Sequence, residues 1–192
     1  MDIARVLSLL TDAHVDVVLV GGMAAVAHGV VHLTNDIDLC YNPDLANLER
    51  LVRALAPLHP RLRVEGLTDD QSSSLPFQWD ARTILATELL TFSLPFQWDA
   101  RTILATELLT LMTDAGRLDL IRMIPGVGDY ADVHSVAVPL DVLGAHIDTL
   151  DLPALIESKR AVRRPKDLAA LPHIEAVLRM READAARDAE NR

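Results

Sequence analysis

The chain has 192 residues, half of them apolar but only 4% aromatic, and a formal net charge of −10. That length allows one domain plus a small helical extension, with a core filled by Leu, Val, Ile and Ala. No apolar run reaches the ~20 residues of a membrane span, and so acidic a chain is a poor coat for long nucleic-acid duplexes. A single cysteine, Cys40, excludes an internal disulfide and fits a reducing compartment. The N-terminus MDIARVLSLLTDAHVD begins with an acid and lacks the basic region of a secretory leader. The expectation is a cytoplasmic protein.

Asp2 is placed to cap a first helix, because Ile3, Val6, Leu7 and Leu10 keep helical spacing. Val17 to Val20 then reads as a buried strand, broken by Gly21-Gly22, which open a small-residue helix from Met23 to His28. A second strand, Asp36 to Tyr41, carries two acids. Strand side chains alternate faces, so Asp36 and Asp38 project together while Ile37, Leu39 and Tyr41 face the core. Cys40 shares the acids' face and reads as a small packing residue. Two acids side by side on a stiff strand repel unless a cation lies between them, and a divalent metal with oxygen ligands suits the pair. The other reading is an exposed strand with a solvated acidic face. Backbone N–H groups after Gly21-Gly22, at a helix start, suit a phosphate.

Asn42-Pro43 predicts the next helix, with Asn as cap and Pro at the first position. Leu45, Leu48, Leu51, Val52 and Leu55 form its stripe, and Pro57 and Pro60 end it. Arg61 to Val64 is a short strand candidate, followed by a polar loop from Asp69 to Ser74. Ser74 to Thr91 and Ser93 to Thr110 are then the same 18 residues, SLPFQWDARTILATELLT, at a period of 19. Two copies are too few for a solenoid. A shift of 19 turns a helical face by roughly 100° and swaps the faces of a strand. The extra copy is therefore expected to loop out or to dock as an added hairpin or helix. The second copy runs directly into the next strand.

Glu107 to Thr113, the turn Asp114-Ala115-Gly116, and Arg117 to Met123 predict a hairpin. Asp119 sits in it between Leu118 and Leu120. A buried lone Asp is costly unless it is paired or metal-bound. It is either a third carboxylate or an edge-strand Asp facing water. Pro125 to Tyr130 (PGVGDY) is a loop expected near a substrate mouth. Val136 to Val138 and Leu143 to Ile147 read as short strands. Asp151 caps a helix from Leu152 to about Arg163, with Leu152, Leu155, Ile156 and Val162 inward. Lys159 lies on that same stripe, so it either snorkels or meets an anion. Five cations and no acid fall between Lys159 and Lys166, a basic strip on an acidic body that fits a polyphosphate or a short piece of RNA. Pro165 starts the last helix, with Leu168, Leu171, Ile174 and Leu178 as its core face and a frayed tail from Glu182.

Val20-Gly21-Gly22, thirteen residues, then Asp36-Ile37-Asp38 resembles the signature of the DNA polymerase β-type nucleotidyltransferase superfamily. LPFQWDARTILATELLTLMTDAGRLDLI and LIESKRAVRRPKDL resemble the middle and C-terminal parts of its AbiEii and MenT-like branch, toxins of toxin–antitoxin systems. The likeness covers most of residues 15–170. It implies an α+β fold, a small mixed sheet flanked by helices. Residues 1–150 would form the nucleotidyltransferase core, containing the 74–110 duplication, and residues 151–192 a helical extension packed on it. It implies transfer of a nucleotide from a nucleoside triphosphate (NTP) to the 3′ end of a tRNA, blocking translation, with two Mg²⁺ ions and a cognate antitoxin protein as partner. In that scheme Asp36, Asp38 and Asp119 bind metal. Lys159 neutralises the triphosphate, while Gly21, Gly22 and Thr34 hold its oxygens. Lys166 and Asp167 match the branch's Lys/Arg-Asp pair, though the spacing from Lys159 is short and Asp167 could instead pair with the basic strip. Phosphorylation of Thr34 would place about −2 charge beside the acids; otherwise Thr34 is a β-branched residue at a strand start.

The same acids suit a nucleotidyltransferase acting on a small molecule, such as an antibiotic, or on a protein hydroxyl. The duplication, lying just before Asp119, also leaves open a catalytically degenerate NTP-binding module. His28 and His32 have no Cys or Glu nearby to form a metal site with them, and His28 reads as a helix-end residue.

Overall fold

The computed structural model describes residues 2–63 and 108–190. Val17–Val20 (β1), apolar and wholly buried, lies inside a mixed sheet. The other strands are Asp36–Tyr41 (β2), Arg61–Leu62 (β3), Leu108–Thr113 (β4), Gly116–Ile121 (β5), Ala137–Val142 (β6) and Ala145–Leu150 (β7). Among the described residues the sheet has seven strands in the order β3-β4-β5-β2-β1-β7-β6. β1 runs antiparallel to β2 and parallel to β7, and β2 runs parallel to β5. This parallel pairing matters most for function, because it sets two strands far apart in sequence side by side.

The helices are Ile3–Asp12 (α1), Gly21–Ala27 (α2), Leu45–Leu55 (α3), Tyr130–Ser135 (α4), Leu152–Val162 (α5) and Pro165–Glu190 (α6). Asp2 caps α1 by accepting the Arg5 N–H at 3.1 Å, and Val6, Leu7 and Leu10 are buried. Asp151 caps α5 through the Ala154 N–H at 2.8 Å. Leu152, Leu155 and Ile156 of α5, and Ala170 and Ile174 of α6, join the same continuous core as the sheet. The α+β architecture of mixed sheet, flanking helices and C-terminal helices is the expected one.

Several local expectations are corrected. Asn42 does not cap α3; its side chain accepts the Asp44 N–H at 3.0 Å in a turn that delivers the chain to a helix beginning at Leu45. Leu45 is consequently half exposed, while Leu48, Leu51, Ala54 and Leu55 carry the buried stripe. Leu143-Gly144 is a turn and not the start of a strand. Both residues have positive φ (52° and 87°), the backbone of a tight hairpin turn whose twist matches its strands. Leu168 faces outward, and Asp167, Ala170 and Ile174 hold the inner face of α6. The tail beyond Glu182 stays helical to Glu190.

Val64, the Asp69–Ser74 loop, Glu107 and nearly all of the duplication lie outside the described residues. The last three residues of the second copy, Leu108 to Thr110, open β4, so the second copy does lead straight into the sheet.

Candidate active site

One row of residues crosses the sheet. Val20 pairs with Asp38, Asp38 with Asp119, and Asp119 with Thr110. The chain turns into α2 directly after Val20, at Gly21. Asp36 lies two residues before Asp38 on the same face of β2. Strand alternation and strand pairing therefore gather three acids from positions 36, 38 and 119. Among the described residues they form the one group of three or more potential metal ligands, with carboxylate oxygens all within 4.8 Å of one another. Asp119 is buried and the other two are half-buried.

The glycine turn is shaped by the acids. Gly21 has φ +65°, and a Cβ there would stand 2.0 Å from an Asp38 carboxylate oxygen. A Cβ at Gly22 would meet the Thr34 hydroxyl at 2.9 Å. Both residues are thus required by close approach, and Gly21 also by its backbone conformation. The Gly22 N–H is hydrogen-bonded to Asp38. The amide expected to hold a phosphate is thereby engaged with a carboxylate. Thr34 donates its hydroxyl to Asp36 at 2.8 Å and so fixes the first acid.

Burial, followed by the charges of Asp36 and Asp119, pushes the Asp38 carboxyl up to about 7. Burial also raises Asp119, opposed by the Arg63 guanidinium bonded to it. Three carboxylates gathered this closely, two of them held above their ordinary values, form a site that a cation relieves. The donors are all hard oxygens, as Mg²⁺ or Mn²⁺ prefers.

Of the two readings open for Asp167, the ion pair with the basic strip is the one observed. Lys159 does meet an anion, but that anion is Asp167, at 3.0 Å, and both side chains are buried. Lys159 is therefore already engaged, and the pair ties α5 to the start of α6. Lys166 is exposed, and its charge acts on both Asp38 and Asp119. The positive field of the basic strip thus reaches the acids through Lys166. Arg163 and Arg164 are exposed beside it, whereas Arg160 pairs with Glu157 and Glu175.

Two residues at the site have no part in it from sequence alone: His32 lacks metal-ligating neighbours there, and Arg63 reads only as part of a short strand. His32 is half-buried between the acids and the basic corner. Burial, then Lys159 and Lys166, hold it below its ordinary value. A His two residues before a Thr in a turn carries no spacing signal. Arg63 donates to both Asp119 oxygens, at 2.8 and 3.2 Å. It follows a two-residue strand whose partner is fixed only by the fold.

The PGVGDY loop is not at the mouth of this site. Gly126 packs against Glu157 and Ala161 of α5, and Asp129 and Tyr130 lie near Cys40, at the opposite end of β2 from Asp36. Cys40 is fully buried, and burial pushes its thiol up to about 12, which suits a packing role. A cavity of about 310 Å³ opens at the Val17 end of β1, lined by His14, Asp16, Tyr130, His134, His146 and Asp148, away from the three acids. No helix among the described residues is long and apolar enough to cross a membrane.

No family model matches the chain, and no curated protein matches it. Among solved structures it is similar to the antibiotic-resistance factor ANT(2'')-Ia, with a TM-score of 0.45 and 14% identity over 100% of each chain. At that level of likeness, function has to be read from the side chains.

Proposed function

We propose that the chain is a Mg²⁺-dependent nucleotidyltransferase of the DNA polymerase β type that moves a nucleotide from an NTP to the 3′ end of a tRNA, as a toxin controlled by a cognate antitoxin. The observation that carries this reading is the triad of Asp36, Asp38 and Asp119, on adjacent parallel strands, directly beside the Gly21 turn. Asp36, Asp38 and Asp119 would together hold the Mg²⁺ ions. When bound, the ions supply charge neutralisation at the phosphates and a more acidic acceptor hydroxyl. Transfer joins the acceptor's 3′ oxygen to the α-phosphorus and releases pyrophosphate.

The chain's own residues divide the remaining work. Thr34 orients Asp36 through its hydroxyl. Gly21 keeps the space in front of Asp38 free of a side chain. Lys166 would meet the triphosphate, and the buried Lys159–Asp167 pair holds the corner that carries it. Exposed Arg163 and Arg164 extend the positive charge outward, which favours an RNA acceptor over a neutral small molecule. Phosphorylation of Thr34 would remove the hydroxyl that Asp36 accepts and add about −2 charge beside the acids, a route by which a partner enzyme would close the site.

The test is incubation of the purified protein with Mg²⁺, each α-labelled NTP in turn, and total tRNA. Label should enter RNA with wild type and not with Asp36→Ala. Label found in protein or in an added small molecule instead would transfer the same chemistry to another acceptor. No transfer to any acceptor would contradict an active enzyme.

A further inference from the structure

Arg63 stands at the end of the row that crosses the sheet. Its N–H donates to the Thr110 carbonyl at 2.9 Å, and its carbonyl accepts the Thr110 hydroxyl. The backbone is therefore pinned to β4 opposite Asp119, the partner of Thr110 in β5. From there one nitrogen of the guanidinium, Nη2, reaches both oxygens of Asp119. Arg63 thereby occupies both oxygens of the third acid. The Nε–H of the same guanidinium is buried and has no acceptor among the described residues. A buried donor left unmet is unfavourable, so the guanidinium is not at rest in its best arrangement. Two oxygens of a phosphate would satisfy Nε and Nη2 together, the bidentate pairing guanidinium groups favour.

We propose that Arg63 is the positioning residue of Asp119, an internal cation that holds this carboxylate while the site lacks metal and releases it to the metal. Upon release the guanidinium turns to the nucleotide's phosphate oxygens. Arg63 thus lowers the affinity for metal alone and favours joint entry of metal and nucleotide. This inference rests on the reading of the three acids as a metal centre.

The experiment uses Mn²⁺ as the probe, with free ion followed by its electron paramagnetic resonance signal and no nucleotide present. Arg63→Met should tighten Mn²⁺ binding by on the order of tenfold, the scale on which groups bonded to metal ligands act. In an Asp119→Asn background the same substitution should change little, because the carboxylate it competes for is gone. Arg63→Gln, with the same expectation, serves if Arg63→Met does not fold. Weakened or unchanged binding in the arginine variants, or equal tightening in the Asp119→Asn background, overturns the proposal and leaves the metal centre standing. Absence of Mn²⁺ binding in wild type and in both arginine variants alike overturns the metal centre and this proposal together.

Discussion

Asp38 shows how much of the site is decided by single side chains. Its carboxylate is crowded by two other acids and by the bare Cα of Gly21, and it takes the Gly22 N–H as partial compensation. Gly21→Ala should therefore do two things. The left-handed backbone would cost about 1–2 kcal/mol, and the new methyl would displace Asp38. We expect nucleotide transfer to fall on the order of a hundredfold, the effect of roughly 1 Å misplacement, while thermal unfolding shows a cooperative fold with a modest loss of stability. Retained activity in that variant would contradict the role given to the turn. Asp36, Asp38 and Asp119 were legible in the sequence because alternation and apolar flanks announce an acid that strand burial makes costly. Arg63 was not, because the contact that gives it meaning spans 56 positions. Lys159 was legible as inward-facing, but its partner was settled only when α6 folded back and offered Asp167 eight residues later.

At the scale of elements, the two C-terminal helices are fastened by polar groups as well as by apolar stripes. The Lys159–Asp167 pair is almost fully buried, so removing one partner strands a charge. Lys159→Met should lower stability by about 3–5 kcal/mol, read as a fall in Tm on the order of 10 °C. Lys159→Met combined with Asp167→Leu should recover most of it. A surface-like loss of under ~1 kcal/mol would show that the pair is not buried in solution.

His28 fastens the other end of α6. Its Nε2 lies 2.8 Å from the Leu150 carbonyl, and Arg181 bonds its Nδ1 and its carbonyl, each at 3.0 Å. These contacts require neutral imidazole, with Nε2 as donor and Nδ1 as acceptor. Burial holds His28 below its ordinary value, and Arg181 adds to this against the Leu150 carbonyl and Asp151. The unfolded chain therefore takes up this proton first. The stability His28 contributes is present above about pH 6.5 and is lost as pH falls through its lower folded value. Urea unfolding at pH 7.5 and 5.5 should show a larger loss for wild type than for His28→Gln, whose amide keeps a donor and an acceptor. Equal losses would remove His28 as the cause. The element boundaries misread from sequence have local reasons. Leu143 in a left-handed turn carries no turn-residue signature, and Asn42 bonds two residues ahead rather than at a helix start.

For the whole molecule, the sheet brings residues 63, 110, 119, 38 and 20 into one row from widely separated positions in the sequence. The strand–turn–helix–strand unit from Val17 to Tyr41 was readable locally, but its completion by β5 depends on a parallel pairing that no local pattern encodes. The duplication bears on this directly, because β4 begins with its last three residues. Since the two copies are identical, removing residues 74–92 leaves the sequence running into β4 unchanged. That deletion should yield a folded protein that keeps the wild-type affinity for Mn²⁺. A deletion variant that folds but loses Mn²⁺ binding would show that both copies are needed to seat Asp119.

The central claim is that Asp36, Asp38 and Asp119 together hold a divalent cation. Crystals grown with Mn²⁺ and a non-hydrolysable NTP analogue, measured for anomalous scattering, test it most directly. The expected result is a manganese peak within coordination distance of all three carboxylates, absent in Asp36→Ala. A peak confined to the histidine-lined cavity at the other end of β1, or no peak among the three acids at saturating Mn²⁺, would contradict it.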